Sequence, residues 1–350
     1  RERERDMKEE EFQYNRHRER PSSDLLTSDV VGDQTESKAR HSKQMSKLSY
    51  LGCGCLCSGR NRNRDRKRIQ FVEMIVVVMC LGFAGTIGYG TLVGSVWNEA
   101  AYPYLWLRLL LSLPVLYCVG MFIWYYALVV ITPAGSPPLA SEAAEHGQSG
   151  SQDWDQCTKC DKLRPYRTHH CSFCKTCVLK MDHHCPWVGG CVGYLNQGYF
   201  VLFLFWASFG SFVCLLINGY SLYQSMVKGY PDLEVRISGL FAFIITFSVS
   251  FSSGALLYFH VGLVRRNETT LETYSNGDRR SEAKKKNMKF HNPYDLGDAN
   301  RNALQVFGKP FWRLAFKPSF VTPLGNGHDW EINPRILENI EANRAVETLE

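Results

Sequence analysis

The sequence predicts an α-helical polytopic membrane protein: four transmembrane helices, with a cytosolic zinc-binding cysteine-rich domain between spans two and three. Three observations lead there. Residues 74–98 and 237–264 carry no Asp, Glu, Lys or Arg, and residues 109–141 and 183–226 are equally free of them. Each stretch is at least as long as the roughly 20 apolar residues that cross a bilayer. Lysine and arginine flank these stretches unevenly. Finally, seven of the 13 cysteines lie between Cys157 and Cys191. A mildly negative mean hydropathy only averages over unlike segments. A single soluble domain is excluded, and so is a small secreted scaffold stapled throughout by disulfides.

Residues 1–68 hold 17 Lys/Arg against 12 Asp/Glu and too little apolar surface to fold alone, which predicts a disordered region. Within it, CGCLC (Cys53, Cys55, Cys57) lies close to the first span. Juxtamembrane cysteines are candidates for S-acylation of the chain itself, and no role at all is equally open. Spans one and two are expected at 71–97 and 109–131. Residues 132–156, rich in Gly, Ser, Pro and Ala, read as a linker. The cysteine-rich domain occupies 157–198. Spans three and four follow at 199–220 and 237–263. Residues 265–350 form a polar tail whose LQVFGKPFWRLAFKPSF mixes Phe and Trp with Lys and Arg, as an interface-lying segment does. Packing against the cysteine block explains the same residues equally well.

Orientation follows from the basic residues. RNRNRDRKR (60–68) directly precedes span one, and Arg265-Arg266 directly follow span four. The link between spans one and two carries only Arg108, and that between three and four only Lys228 and Arg236. The positive-inside rule therefore places both termini and the loop between spans two and three in the cytosol. Thiols in that loop face a reducing compartment, where they bind metal or do chemistry. The sequon Asn267-Glu268-Thr269 is expected to stay unglycosylated. A channel or transporter would place charged groups inside the spans. Only Glu73 and His260 come near, both close to span ends, and neither requires a functional role.

The chemistry sits in CTKCDKLRPYRTHHCSFCKTCVLKMDHHCPWVGGC. Cysteines two residues apart close a tight turn onto one tetrahedral Zn²⁺, whose preferred structural ligand is thiolate sulfur. A block without regular apolar periodicity needs metal binding to supply its folding free energy. Seven cysteines and four histidines (His169, His170, His183, His184) make eleven candidate ligands, and two closed sites need eight. The surplus allows a free thiol beside a free imidazole, an arrangement for nucleophilic catalysis in which a carboxylate orients the base. Asp182-His183-His184-Cys185 holds all three side-chain types. On spacing alone, a membrane-anchored structural zinc-finger adaptor without catalysis remains the alternative.

This string resembles the cysteine-rich domain of the DHHC family of protein S-acyltransferases. The likeness covers residues 157–200, with RPxRxxHCxxCxxCVxxxDHHCPW and CVGxxNxxxF, and extends to the four-span plan. Thr269-Thr270-Leu271-Glu272 looks like the family's TTxE motif. Asn292 to Gly297, with Asn302 and Gln305 to Gly308, looks like its C-terminal motif. The resemblance implies that Cys157, Cys160, His170 and Cys177 hold one structural zinc, and Cys171, Cys174, His184 and Cys191 a second. It implies Cys185 as nucleophile, His183 as its general base and Asp182 as the group orienting His183. Thr270 and Glu272 would brace the site, and Asn302 would dock the tail.

The implied reaction takes a long-chain acyl group from palmitoyl-CoA or a similar donor, through an acyl-cysteine at Cys185, to cytosolic cysteines of membrane-associated protein substrates. Arg164, Arg167 and His169 are candidate contacts for CoA phosphates, and Trp187 for the start of the acyl chain. The expected partners are the bilayer, acyl-CoA and those proteins, with no nucleic acid. The expected location is an endomembrane, endoplasmic reticulum or Golgi. Two departures stand out. Gly189-Gly190 replace the family's usual Asn pair, predicting a looser loop, and Pro133-Ala134-Gly135 lacks the usual acid.

Overall fold

The computed structural model describes residues 59–99, 101–138, 154–160, 162–227, 233–285, 287, 290–334 and 336; for 59–71 and 233–236 the backbone alone is described. The expectations for residues 1–58, including Cys53, Cys55 and Cys57, and for most of the linker fall outside these residues.

Four long helices dominate: α1 (Gly59–Tyr89), α2 (Leu105–Ile131), α3 (Gln197–Val227) and α4 (Leu233–Arg265). Their apolar windows, Val72–Val96, Leu105–Ile131, Gln197–Val227 and Ile237–Arg265, are each long enough to cross a membrane. The protein is thus a multi-pass membrane protein. The basic run 60–68 is helical, because α1 begins at Gly59 and carries it straight into the first span. At its other end α1 widens into a π-helical stretch, Gly90–Val96. There Ser95 Oγ donates to Asn218 Oδ1 at 2.7 Å, and Asn218 Nδ2 donates to Thr91 Oγ1 at 3.2 Å. These bonds join α1 to α3 where an apolar setting would penalise an unpaired amide.

Between α2 and α3 the cysteine-rich block folds as three two-stranded antiparallel hairpins: β1 (Asp155–Gln156) with β2 (Leu163–Arg164), β3 (His169–Cys171) with β4 (Thr176–Val178), and β5 (His183–Cys185) with β6 (Gly190–Val192). Such short strands bury little apolar area. Their backbone instead clips onto neighbouring segments. The amide of Leu179 donates to Gly135 O (3.1 Å), that of Leu195 to Ala134 O (3.1 Å) and that of Tyr194 to Leu179 O (2.9 Å). Gly193 sits in this weave, where a Cβ would meet Val178 Cγ1 at 2.7 Å and Leu179 O at 2.8 Å. Only glycine fits.

After α4 come α5 (Thr270–Lys285), α6 (Ala299–Phe307) and the short α7 (Phe311–Ala315). Asp298 caps α6 by accepting from the amides of Asn300 and Arg301. Asn302 is fully buried. Its amide donates to Arg265 O (2.8 Å) and Asp295 Oδ1 (2.7 Å), while its oxygen accepts from Leu296 N (3.0 Å). One bond thus ties the tail to the end of α4, and the other two fold the tail's own Asp295–Leu296 turn onto α6. Buried apolar residues of α2, α3, the β5–β6 hairpin and the tail share one core.

Candidate active site

Strand β5 explains how two adjacent histidines take different work. Side chains alternate across a strand, so His183 and Cys185 share one face and His184 points to the other. On the first face His183 Nδ1 lies 2.6 Å from Asp182 Oδ2, which leaves Nε2 for Cys185, itself a hydrogen-bond partner of the ring. On the second face His184 Nδ1 lies 3.5–3.7 Å from the sulfurs of Cys171, Cys174 and Cys191.

Asp182 is completely buried, and its carboxylate is saturated with donors. Thr270 supplies its amide to Oδ1 (3.0 Å) and its hydroxyl to Oδ2 (2.9 Å). Gln197 Nε2 approaches Oδ1 at 3.5 Å. Burial works to raise the Asp182 carboxyl, but the hydrogen bond and charge of His183, with His260 and the Thr270 amide, outweigh it and hold it below its ordinary value. Burial alone would lower His183. Its hydrogen bonds with Asp182 and Cys185 dominate and raise it to about 9. The imidazole therefore holds a proton readily, as a base that strips a thiol must.

The two implied ligand sets are each drawn together. Cys157, Cys160, His170 and Cys177 bring their donor atoms within 4.8 Å of one another, and so do Cys171, Cys174, His184 and Cys191. The hairpin register builds both sets: His170 faces Cys177 across β3–β4, and His184 faces Cys191 across β5–β6. In each case the other two cysteines come from the preceding hairpin, so each set stitches consecutive hairpins together. Three thiols and one imidazole make a closed tetrahedral donor set with no open position, suited to a structural Zn²⁺.

Two participants had no assigned role in the sequence. Glu73, on α1, accepts from His184 Nε2 at 2.9 Å. His260, on α4, is buried with Nδ1 4.0 Å from Asp182 Oδ2. Both are ionisable groups near span ends, where position alone required no role; their contacts with His184 and Asp182 supply one.

The residues implied for acyl-CoA divide. Arg167 departs from that expectation, because its side chain is buried and already paired. Its Nε and Nη2 grip the Glu272 carboxylate at 2.7 and 2.8 Å, and Nη2 also donates to Asn267 O at 2.9 Å. Tyr294 and Trp330 cover the guanidinium, 4.3 and 4.7 Å from its central carbon. Arg167 thus braces the cysteine block against α5 and the tail, and has no free edge for a phosphate. Arg164 pairs with Asp155 at 3.3 Å. His169 is exposed on β3. Trp187 is exposed, its carbonyl held by Tyr126 Oη at 2.7 Å. Gly189 takes the left-handed conformation (φ 68°) that closes the turn after Pro186–Val188, a conformation Asn also tolerates.

Comparison with known proteins agrees with this geometry. The family model described as DHHC palmitoyltransferase matches residues 151–277. Probable protein S-acyltransferase 12 of Arabidopsis thaliana is 33% identical over 212 residues, covering 55% of this chain and 68% of that protein. Palmitoyltransferase ZDHHC2 of Homo sapiens is 38% identical over 195 residues, covering 54% and 48%. Palmitoyltransferase ZDHHC16A of Danio rerio is 29% identical over 265 residues, covering 61% and 66%. The chain thus spans about half of one of these relatives and about two thirds of the other two. With its motifs, its four spans and these relatives, the chain belongs to the DHHC palmitoyltransferase family.

Proposed function

We propose that the protein transfers a long-chain fatty acyl group from acyl-CoA to cysteine thiols of proteins, through an acyl-enzyme at Cys185. The observation that carries this reading is the pairing of buried Asp182 with half-buried His183, beside a cysteine that belongs to neither metal set. His183 takes the Cys185 proton, and the thiolate attacks the thioester carbonyl. The intermediate collapses with expulsion of CoA thiolate, which receives the proton from His183. In the second half, His183 deprotonates the acceptor cysteine, whose thiolate takes the acyl group and frees Cys185. Throughout, Asp182 keeps Nδ1 protonated and so fixes the tautomer that presents Nε2.

An apolar cavity of about 200 Å³ among α1, α2 and α3, lined by Phe83, Phe122, Phe203 and Trp206, suits an acyl chain. Cys80 lines the same cavity and neighbours Cys185. Burying the chain contributes about 0.8 kcal/mol per CH₂. The four-residue sets would each hold a structural Zn²⁺, the first tying β1–β2 to β3–β4 and the second tying β3–β4 to β5–β6, and neither would take part in the chemistry. The basic flanks favour a catalytic face in the cytosol, and we assign the protein to an endomembrane, endoplasmic reticulum or Golgi, where membrane-associated proteins present their cysteines.

Intact mass after incubation with palmitoyl-CoA tests this. A hydroxylamine-labile adduct is expected on the wild type and not on Cys185→Ser, with two zinc ions per chain in both. A wild type that never acquires the adduct, or a variant that loses zinc, overturns the assignment.

A further inference from the structure

The tail after α6 lies against the spans in an unusual way. From Leu314 to Val321 the backbone is mostly irregular, yet its carbonyls are served by aromatic side chains of α2 and α3. Tyr125 Oη donates to Leu314 O and to Lys317 O (3.0 Å), and Trp206 Nε1 to Ala315 O (2.9 Å). Tyr117 Oη donates to Phe316 O, Trp124 Nε1 to Ser319 O (3.5 Å) and Tyr199 Oη to Val321 O (3.3 Å). A backbone running through water has no need of such partners. One running at bilayer depth does, because irregular backbone is tolerated there only where protein satisfies it.

The register gives the depth. Tyr117 lies about 21 Å along α2 from its end at Ile131, at about 1.5 Å per residue. That end is level with the start of α3, since Asn196 Nδ2 donates to Thr132 O at 3.2 Å. The 27 residues of α2 span about 40 Å against a hydrocarbon core of about 30 Å. Even with all the excess on the side of the cysteine block, Tyr117 sits about 10 Å below that surface. Tyr125, which bonds Lys317 O, is only about 9 Å from the same end and so level with that surface: the segment dips inward at Phe316 while Lys317 stays near the headgroups.

The segment also has two faces. Leu314, Ala315 and Val321 are buried against the bundle, whereas Trp312, Phe316 and Phe320 are each more than half exposed. Among these rings stand the exposed Arg313 and Lys317, with long stems able to carry a charge up to a headgroup layer. Phe316 packs edge-on against Phe205 and Trp206 of α3, with ring centres 5.8 and 6.2 Å apart, so this face lies beside that span.

We infer that residues 311–320 form a re-entrant segment whose outer face binds anionic phospholipid of the leaflet beside the cysteine block. Trp312, Phe316 and Phe320 meet acyl chains, and Arg313 and Lys317 meet phosphate. The inference rests on the membrane-spanning reading of α1–α4 and needs no turnover at Cys185, so its failure is distinct from failure of the acyltransferase reading.

The test uses the full chain in vesicles of equimolar phosphatidylcholine and phosphatidylserine, with the photocrosslinker p-benzoylphenylalanine placed singly at 316 or 320. Position 258, where Tyr258 is exposed on α4, serves as the lipid-facing control, and position 274, where Tyr274 is exposed on α5, as the contrasting one. Lipid adducts read by mass spectrometry are expected at 316 and 320 at yields near that of 258, and not at 274. Phosphatidylserine adducts should predominate severalfold at 316, and Arg313→Glu with Lys317→Glu should abolish that excess. Adducts at 258 without any at 316 and 320 overturn the re-entrant placement. Equal yields of the two lipids, or an excess indifferent to the charge reversals, overturn the anionic headgroup assignment.

Discussion

Glu73 on the first span accepts a hydrogen bond from His184 on β5 at 2.9 Å, while the other nitrogen of the same ring faces three cysteines. The carboxylate fixes the tautomer that leaves Nδ1 as donor toward a metal and raises that nitrogen's basicity. Because His184 precedes Cys185, the first span is coupled through one ring to the strand that carries the proposed nucleophile. Removing such a partner typically costs about 10–100-fold in metal affinity. Glu73→Ala is therefore expected to release one of two zinc ions at chelator concentrations the wild type withstands, with Glu73→Gln intermediate. Equal chelator resistance in all three proteins would show that the carboxylate does not support the site.

Thr270 reaches Asp182 from the start of α5 with both amide and hydroxyl. Thr270→Val keeps the amide bond and the side-chain shape but loses the hydroxyl. A hydrogen bond to a charged group contributes about 1.5–3 kcal/mol, so the rate of acyl-enzyme formation should fall about 10–100-fold. Thr270→Ser should recover most of it, with KM for acyl-CoA little changed throughout. Stopped-time mass spectrometry of the Cys185 adduct reads the rate; an unchanged rate in the Val variant would remove Thr270 from the site.

Lys180 yields a prediction about pH. It is buried, its ammonium 5.5 Å from the Trp330 ring. Burial first, and then the charge of Arg167, lower it to about 7, against the opposing pull of Glu272 and Asp182. Between about pH 7 and the ordinary lysine value near 10.5 the unfolded chain binds a proton that the folded chain does not. Lys180 therefore makes stability rise with pH across that window, and its cost is fully present below it. Lys180→Met should raise the thermal midpoint at pH 7 and narrow its gap from wild type as the pH approaches 10. A gap independent of pH would mean that Lys180 is charged in both states.

How much of this was visible beforehand depends on the range of each signal. Apolar runs and CxxC pairs are local, so the four spans and the cysteine block could be read directly. Spacing could count eleven ligands for eight places but could not divide them; the alternation along β5 does that physically. Glu73 is 111 residues from His184, and Arg167 is 105 from Glu272, so neither pairing leaves a mark in local sequence. Arg167 resembles a phosphate contact until burial shows it holding Glu272 between two aromatic rings. In the tail, mixed aromatic and basic residues left two readings open. The structure shows both surfaces, one on the bundle and one facing outward.

His260 illustrates how a group can matter without bonding. At 4.0 Å from Asp182 Oδ2 its Nδ1 is beyond hydrogen-bonding range. Its ring lies 5.7 Å from that of His183 and 5.0 Å from Phe200, which is 5.2 Å from His183 in turn. These rings pack around His183 and restrict its swing. His260→Ala opens that packing, and misplacement of a reacting group by about 1 Å can cost about 100-fold. A fall of about 10–100-fold in acyl-enzyme formation is expected, with both zinc ions retained and KM for acyl-CoA little changed. His260→Phe restores the ring volume without the nitrogens and should recover most of the rate. If Phe proves as slow as Ala, the imidazole acts through its charge or its proton, and the packing explanation fails.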